Sequence, residues 1–358
     1  MNRPNQSNLE SSAIALGFEI PCGRIARRPP AERDASRLLV YRRGDGGTSH
    51  HGFRELPELL PKNSLLVLNN TQVTACRLVA RKSSGGKLDL LVLRWLSKDR
   101  GRGTAEALIR GSGRGGRKGT LFSRGALQGE VLEKTAGSAY VVRLWADGDG
   151  RDIESLFSSC AAMPIPPYLR RPPDREDLSR YQTVYASAPG SIAAHTAGLH
   201  FTQRTLDDLR AAGFGMATIT LNIGEGTFNP IRTKLLRSHA MHRESFTVSD
   251  EAAGSINAAM ESGKTIIPVG TSCVRTLEGL VREKGAVVPW SGSTDLFITP
   301  GFSFLVTGAM ITNFHLPAST PLALVMALAG IEEIRAAYRV ALDRGYRFYS
   351  YGDSMLII

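Results

Sequence analysis

The sequence is poor in cysteine. Its cysteines, Cys22, Cys76, Cys160 and Cys273, are scattered along the chain and form no C-x-x-C pair. That spacing argues against a structural zinc site and against a disulfide scaffold. We therefore expect reduced thiols, a cytoplasmic location and no bound metal.

Long hydrophobic runs are also missing. The longest run, residues 321–329, is about half of the roughly 20 residues that a membrane span needs. It opens like a buried helix, with Thr320 as the predicted N-cap and Pro321 at the first helical position. Near the start, the apolar stretch 13–16 is too short for a signal sequence. No membrane segment and no export are expected.

Acidic residues are fewer than basic ones. The chain has 33 Asp and Glu against 44 Lys and Arg, a formal net charge of +11. Such a charge attracts polyanions, so a nucleic-acid partner is one interpretation, and an ordinary solvated basic surface is the other. With 358 residues and 42% hydrophobic content, the chain is long and apolar enough for a globular protein of two domains.

The pattern of apolar residues changes along the chain. Residues 79–150 show short alternating runs between glycine-rich turns, which is typical of a small all-β unit. After residue 200, strands and helices alternate, with Thr202 and Ser249 as predicted helix N-caps. The sequence predicts a mixed α/β main domain, residues 1–78 and 151–358, interrupted by an inserted β-barrel domain at 79–150.

A glycine-rich segment at 111–116 matches the pattern G-x-G-x-x-G. A dinucleotide-binding fingerprint must open a helix, whereas residues 120–122 have the pattern of a strand, so we do not interpret the match as a nucleotide site. The basic residues of this loop, Arg114, Arg117 and Lys118, could contact phosphates. A solvated hairpin is the alternative.

Residues 269–278 combine a strand end, a glycine turn and the start of a helix. Thr271, Ser272 and Arg275 fall in the first turns of that helix. The free N–H groups and the dipole at a helix start suit a carboxylate or a phosphate. An ordinary turn capped by Ser272 explains the same pattern.

Several polar and aromatic blocks lie between residues 195 and 353. One such block is normally a structural turn, but several in one domain would line a cleft with stacking surfaces and titratable groups. The histidines and the carboxylate of 239–244 could bind a metal, although mutual hydrogen bonding or acid–base work fits them better. The other blocks are TAGLHF (196–201), GEGTF (224–228), NFHLP (313–317) and YSYGD (349–353).

Taken in order, these blocks resemble the S-adenosylmethionine:tRNA ribosyltransferase-isomerases of queuosine biosynthesis. The resemblance rests on TAGLHF, GEGTFNP, HAMHRE, VGTSCVRTLE, NFHLPAST and YRFYSYGDSMLI. It extends over nearly the whole chain, through SRLL (36–39), LLVLNNTQVTACRL (65–78), SSGGKLDLLV (83–92), MPIPPYLRR (163–171) and YQTVY (181–185).

The resemblance implies a reaction and a fold. The ribosyl part of S-adenosylmethionine, the co-substrate, is transferred to the aminomethyl group of a 7-deazaguanine in the tRNA anticodon loop. Epoxyqueuosine, adenine and methionine are the products. The implied fold, an α/β domain with an inserted β-barrel, agrees with the pattern described above.

The same resemblance implies roles for particular residues. A base must remove a hydrogen from the 5′ carbon beside the sulfonium, and adenine must be helped to leave. His200 and His315 are the candidates for proton transfer, with Glu225 and Glu244 behind them. Arg275 would hold the methionine carboxylate at the turn. The remaining candidates for substrate binding are Thr271, Ser272, Phe201, Phe228, Asn313, Phe314, Tyr349 and Asp353.

Some positions depart from the family pattern. His195, Asn222, Leu305 and Gly308 stand where the family usually has other residues. These departures leave open a relative that transfers the same group to a small-molecule acceptor. The basic charge leaves open a second alternative, a non-catalytic RNA-binding protein, although the histidine blocks argue against it.

Overall fold

The computed structural model describes residues 17–110, 116–148, 152–224, 226, 231, 233 and 235–358. These residues form two compact units. The α/β unit comprises the chain up to Gln72, then Pro167–Arg171 and Gln182–Ile358, and the barrel unit comprises Val73–Pro166 and Pro172–Tyr181. The sequence predicted an insertion at 79–150, whereas the barrel unit begins at Val73 and includes a second, short segment.

Alternating apolar side chains build the barrel unit. In its second strand, Leu88, Leu90 and Val92 are buried while their neighbours face outward, as a two-residue period requires. Gly129 leaves room for the ring of Phe122, because a Cβ there would lie 2.3 Å from it. The barrel strands are β5 (Arg77–Lys82), β6 (Lys87–Asp99), β7 (Arg102–Arg110), β8 (Leu121–Arg124), β9 (Leu127–Lys134) and β10 (Tyr140–Ala146). They close into a barrel in the order β10-β7-β6-β5-β8-β9, which confirms the predicted all-β unit.

The α/β unit contains two larger sheets. The strands outside the barrel are β1 (Arg37–Tyr41), β2 (Thr48–Gly52), β3 (Ser64–Asn69), β4 (Thr71–Val73), β11 (Ala188–Ser191), β12 (Gly215–Leu221), β13 (Glu244–Val248), β14 (Thr265–Pro268), β15 (Trp290–Thr294), β16 (Met310–Asn313) and β17 (Ser354–Ile357). One sheet has the order β14-β3-β12-β13-β15 and the other has the order β16-β17-β1-β2. In addition, β4 pairs with β11.

Helices cover these sheets and the barrel. The mixed α/β architecture with a small barrel is as predicted. The helices are α1 (Leu56–Leu59), α2 (Ile153–Cys160), α3 (Asp177–Arg180), α4 (Gln203–Ala211), α5 (Asp250–Glu261), α6 (Gly270–Lys284), α7 (Thr320–Ala329) and α8 (Ile331–Asp343).

Parallel pairing brings several strand ends to one edge. Strands β14, β3 and β12 pair in parallel, and Val269, just beyond β14, forms a parallel bridge with Ile311 of β16. The carboxyl ends of these strands therefore lie on the same side. In open α/β sheets, ligands bind at the carboxyl ends of parallel strands.

Helix starts follow the predicted capping residues in two cases. Thr202 caps α4 and Ser249 caps α5, each accepting a hydrogen bond from a backbone N–H three residues later. The predicted cap of α7 was wrong by one position: Ser319 is the N-cap, and Thr320 is already helical. Helix α6 has no side-chain cap, so Ser272 does not cap it; the N-cap is Val269.

Helix α7 is the longest apolar run of the sequence, and its central side chains are buried. Leu322, Val325 and Met326 pack in the same core as Phe314 and Tyr338. Burial of these side chains stabilises the α/β unit through removal of apolar surface from water. Among the residues that the structure describes, no helix is both long enough and apolar enough to cross a membrane.

Candidate active site

A pocket opens in the α/β unit near the carboxyl ends of β12, β14 and β16. Its walls come from the segment after β16, the start of α6 and the start of β13. Of the residues predicted for a functional site, the pocket is lined by Glu244, Thr271, Ser272, Arg275, Asn313, Phe314, His315 and Tyr349. Blocks that lie far apart in the sequence therefore meet at one place.

Other predicted residues are placed elsewhere. His200, Phe201 and Asp353 are buried, but they are not among the residues that line this pocket. Glu225 and Phe228 lie outside the described residues, as do residues 111–115 of the basic loop.

One wall of the pocket carries a buried ion pair. Arg275 Nη1 donates to Glu244 Oε2, and the two side chains are only 12% and 5% exposed. Glu244 Oε1 also accepts from the backbone N–H of Gly224 at 3.0 Å, and Arg275 Nε donates to the Leu296 carbonyl at 3.0 Å. Arg275 Nη2 is buried and has no hydrogen-bond partner among the described residues. We call Arg275 and Glu244 the charged wall; the NH2 group of Arg275 Nη2 can donate to an acceptor in the pocket.

The start of α6 needs a glycine. Gly270 has φ +81, and a Cβ there would lie 2.3 Å from His195 Nε2. His195 is fully enclosed, and burial lowers its pKa to about 4, so it is neutral at physiological pH. Because Gly270 has no side chain, the first turn of α6 can lie against the neutral imidazole of His195, and both residues line the pocket.

A second wall is built from neutral groups. Asn313 Nδ2 lies 3.0 Å from His200 Nε2 and 3.4 Å from the Tyr349 carbonyl. His200 Nδ1 lies 2.8 Å from Ser36 Oγ, which in turn lies 3.3 Å from the Arg33 carbonyl. Burial lowers the pKa of His200 to about 3, so it is also neutral. We call Ser36, His200 and Asn313 the neutral wall; Asn313 lines the pocket, and His200 and Ser36 lie behind it.

His315 follows this wall and lines the pocket. Its Nε2 lies 2.7 Å from Thr312 Oγ1, and its backbone N–H donates to Tyr338 Oη at 2.9 Å. Burial lowers the pKa of His315 to about 3. The imidazole is therefore neutral at physiological pH, and neutral imidazole is the form that can accept a proton.

Aromatic rings flank the neutral wall. Tyr168 and Tyr349 meet edge to face, with ring centroids 4.8 Å apart, and Tyr168 is hydrogen-bonded to Ser350. Tyr349 has a positive φ of 73°, an unusual conformation for a side chain of this size. Burial raises the pKa of Tyr349 to about 12, so both phenols remain neutral and supply flat apolar surface.

The predicted residues outside the pocket have structural contacts. Phe201 is in the core, where its ring packs against Phe53 with centroids 5.0 Å apart. Asp353 accepts hydrogen bonds from the backbone N–H groups of Arg37 at 2.9 Å and Arg347 at 2.7 Å. These contacts join the first residue of β1 to the segment that precedes β17.

The segment 239–244 contributes to the pocket through His239, His242 and Glu244. His239 stacks edge to face on Phe297, with centroids 5.3 Å apart, and its pKa is lowered by burial and by His242. Within the described ranges, no group of three or more His, Cys, Asp and Glu side chains could hold a metal ion.

Sequence reasoning missed two residues that line the pocket, Tyr168 and Thr312, and one that lies behind it, Ser36. Ser36 and Tyr168 lie in segments that supported the resemblance, SRLL and MPIPPYLRR, yet neither has a local pattern that indicates a site. Thr312 is an ordinary residue of β16 until the fold places it beside His315. Spacing in the sequence carries no signal for contacts of this kind.

The positions that depart from the family pattern are dispersed. His195 lines the pocket, whereas Asn222 joins Thr71 and Ser245 through hydrogen bonds of 2.9 and 3.2 Å. Leu305 is 55% exposed, and its backbone N–H donates to the buried carboxylate of Glu278. A Cβ at Gly308 would lie 2.8 Å from Thr265 Cγ2.

Fold and pocket together define an enzyme-like protein: an α/β unit whose pocket combines apolar surface with a buried ion pair and histidines, and a separate small β-barrel. The chain matches the family described as queuosine biosynthesis protein over residues 14–357. The chain belongs to this family.

Named relatives agree with that assignment. An S-adenosylmethionine:tRNA ribosyltransferase-isomerase of Anaeromyxobacter dehalogenans (strain 2CP-C) is 46% identical, with 95% of this chain and 97% of that protein covered. A protein of the same name from Caldanaerobacter subterraneus subsp. tengcongensis is 42% identical, with 95% and 98% covered. The crystal structure of S-adenosylmethionine tRNA ribosyltransferase from Thermotoga maritima is similar at a TM-score of 0.55 and 31% identity, covering 96% of this chain and 100% of that one.

Proposed function

We propose that this protein transfers and isomerises the ribosyl group of S-adenosylmethionine onto a 7-aminomethyl-7-deazaguanine in tRNA, with release of adenine and methionine. Membership of the family and the names of its relatives support the reaction. The single structural observation that carries the proposal is the meeting of the charged wall, His315 and the tyrosine rings in one pocket. The cytoplasm, where tRNA is modified, is the proposed location.

The charged wall fits the methionine end of the co-substrate. A carboxylate is bound best by a fixed guanidinium, and Arg275 Nη2 is a buried donor without a partner among the described residues. Glu244 holds Arg275 from the other side and acts as a positioning residue. Thr271 and Ser272 lie in the uncapped first turn of α6, which also favours a carboxylate.

His315 is the proposed proton carrier. The reaction removes a proton from the 5′ carbon beside the sulfonium and supplies one to the leaving adenine. His315 lines the pocket, is neutral at physiological pH and is held by Thr312. Tyr168 and Tyr349 offer ring surfaces to the base or to the sulfonium, and aromatic faces attract cations.

Adenine release tests the function. The protein is incubated with S-adenosylmethionine and tRNA that carries the deazaguanine precursor, with unmodified tRNA as the control. We expect adenine only with the precursor tRNA. Release with a small-molecule amine instead of tRNA would assign the activity to a different acceptor, and tRNA binding without release under any condition would indicate a non-catalytic RNA-binding protein.

His315→Asn and Arg275→Lys separate the proposed roles. The first should abolish adenine release while the binding of S-adenosylmethionine persists. The second should weaken binding, because one ammonium cannot replace the guanidinium that bridges Glu244 and the pocket. Full adenine release by His315→Asn would remove His315 from the mechanism.

A further inference from the structure

The hydrogen bonds of the neutral wall can be assigned from one fixed point, the backbone carbonyl of Tyr349. A carbonyl oxygen only accepts, so the group of Asn313 that lies 3.4 Å from it is the amide nitrogen. The same nitrogen faces His200 Nε2 at 3.0 Å, and this ring atom must therefore be unprotonated and accept. The orientation of the amide and the tautomer of His200 are set together.

The remainder of the chain of hydrogen bonds follows. With Nε2 unprotonated, the neutral ring carries its proton on Nδ1 and donates to Ser36 Oγ at 2.8 Å. The Ser36 hydroxyl then donates its own proton to the Arg33 carbonyl at 3.3 Å. Ser36 is 0% exposed and His200 is 3% exposed, so water does not compete for these groups.

One polar atom is left over. Both N–H groups of Asn313 are used within the wall, and Asn313 Oδ1 is buried without a hydrogen-bond partner among the described residues. Asn313 is 1% exposed and lines the pocket. A buried carbonyl oxygen without a partner costs free energy, which a ligand that donates a hydrogen bond would recover.

We propose that Asn313 Oδ1 accepts a hydrogen bond from the exocyclic amine of the adenine of S-adenosylmethionine, and that Ser36 and His200 are positioning residues that keep the amide in this orientation. The proposal rests on the proposed function. The exocyclic amine is the N–H donor of adenine, and the tyrosine rings beside Asn313 suit a flat base. His200 is held in place by stacking on Phe53, with centroids 5.2 Å apart.

This role for His200 differs from proton transfer. Both ring nitrogens are occupied within the wall, and His200 does not line the pocket. A positioning role predicts that changes at His200 alter ligand affinity and base preference, whereas a proton-transfer role predicts a loss of turnover at unchanged affinity.

Calorimetric binding of S-adenosylhomocysteine and S-inosylhomocysteine tests the proposal without turnover. The inosyl compound carries a carbonyl in place of the exocyclic amine, so it would face Asn313 Oδ1 with a second acceptor. We expect the wild-type protein to bind the adenosyl compound about tenfold or more tightly. Equal affinity for the two compounds would overturn the adenine assignment.

His200→Phe and His200→Gln form the matched pair. The phenylalanine variant fills the space but removes the acceptor, so the amide of Asn313 is free to rotate and the tenfold preference should collapse. Glutamine keeps an acceptor for Asn313 and should retain the preference within about threefold. A preference that persists in His200→Phe would overturn the positioning role.

Ser36→Ala and nitrogen-15 spectroscopy of the histidine rings give a readout that does not need a large substitution. We expect His200 to carry its proton on Nδ1 in the wild-type protein and to lose this tautomer in Ser36→Ala. A wild-type ring protonated on Nε2 would overturn the assignment. Failure of the wild-type protein to bind S-adenosylhomocysteine or release adenine would instead reject the proposed function, so the two failures are distinct.

Discussion

The charged wall and the neutral wall both reach the same pocket, the neutral wall through Asn313, but they are stabilised in different ways. In the charged wall, the guanidinium of Arg275 and the carboxylate of Glu244 form a buried ion pair. In the neutral wall, Ser36, His200 and Asn313 carry no net charge, and burial itself keeps the imidazole neutral. In the roles proposed above, the ion pair binds an anion and the chain of neutral hydrogen bonds recognises a base.

The difference has a general cause. A buried charge without a partner is far more costly than a buried neutral dipole, so the charged wall should tolerate the loss of one partner poorly. A neutral network fails differently, because its groups can rotate or change tautomer when one member is removed. The following predictions use this contrast, from the largest expected effect to the smallest.

Arg275→Met should have the largest effect on stability. It removes the guanidinium beside the buried carboxylate of Glu244, and we expect a loss of about 3 kcal/mol or more in the free energy of unfolding, measured by urea denaturation. The double variant Arg275→Met/Glu244→Leu should recover most of this stability but no adenine release. If the single and double variants are equally unstable, the stability lost in Arg275→Met does not come from breaking the ion pair with Glu244.

Gly270→Ala should disturb the charged wall through the backbone. The new Cβ would lie 2.3 Å from His195 Nε2 at a φ of +81, so we expect a loss of about 2 kcal/mol in the same measurement and weaker binding of the co-substrate. Gly254→Ala is the control, because this helical glycine has open space and an ordinary φ. It should stabilise the protein by about 0.5 to 1 kcal/mol. If both substitutions changed the free energy of unfolding equally, the close approach of Gly270 to His195 would be contradicted.

The pH dependence of stability should report on the buried histidines. The folded-state pKa of His315 is about 3, below the ordinary value of 6.5, so between these values the unfolded chain binds a proton that the folded chain does not. Stability is therefore lost as pH falls from 6.5 toward 3 and is constant above that window for this group. When the pH falls from 6 to 5, the free energy of unfolding of His315→Gln should decrease by about 1 kcal/mol less than that of the wild type.

Urea denaturation at each pH gives the free energy of unfolding for this comparison. In Gly254→Ala, the slope of this free energy against pH should equal that of the wild type. An unchanged slope in His315→Gln would show that His315 is not neutral in the folded protein. His195 and His200 should contribute to the slope in the same direction, because burial lowers the pKa of each.

Leu305→Lys should have the smallest effect. The side chain is 55% exposed, and the backbone N–H, which the substitution keeps, donates to Glu278. We expect a change below about 0.5 kcal/mol in unfolding free energy and unchanged adenine release. A change in the acceptor requirement of Leu305→Lys would mean that this departure from the family pattern bears on acceptor choice.

Much of the fold could be predicted from the sequence. Two-residue alternation indicated the barrel strands, and Thr202 and Ser249 marked helix starts, because these signals come from neighbours in the chain. The cap of α7 was misplaced because Ser319 and Thr320 are both good capping residues, and local pattern does not choose between them.

The site could be predicted only in part. The polar blocks indicated that Arg275, Asn313 and His315 belong to a functional region, and they line the same pocket. The sequence alone did not separate His315, at the pocket wall, from His200, behind it. That separation depends on which face of each segment packs against the core.

By itself, the sequence determined the architecture, the family and the segments that carry the site, since these follow from residue types and their spacing. Tertiary structure alone decided which buried groups are paired. Ser36 lies 164 positions from His200, and His200 lies 113 positions from Asn313, so their contact exists only after the strands have paired. Their protonation and orientation are set by burial and by hydrogen-bond partners, and these are properties of the folded chain.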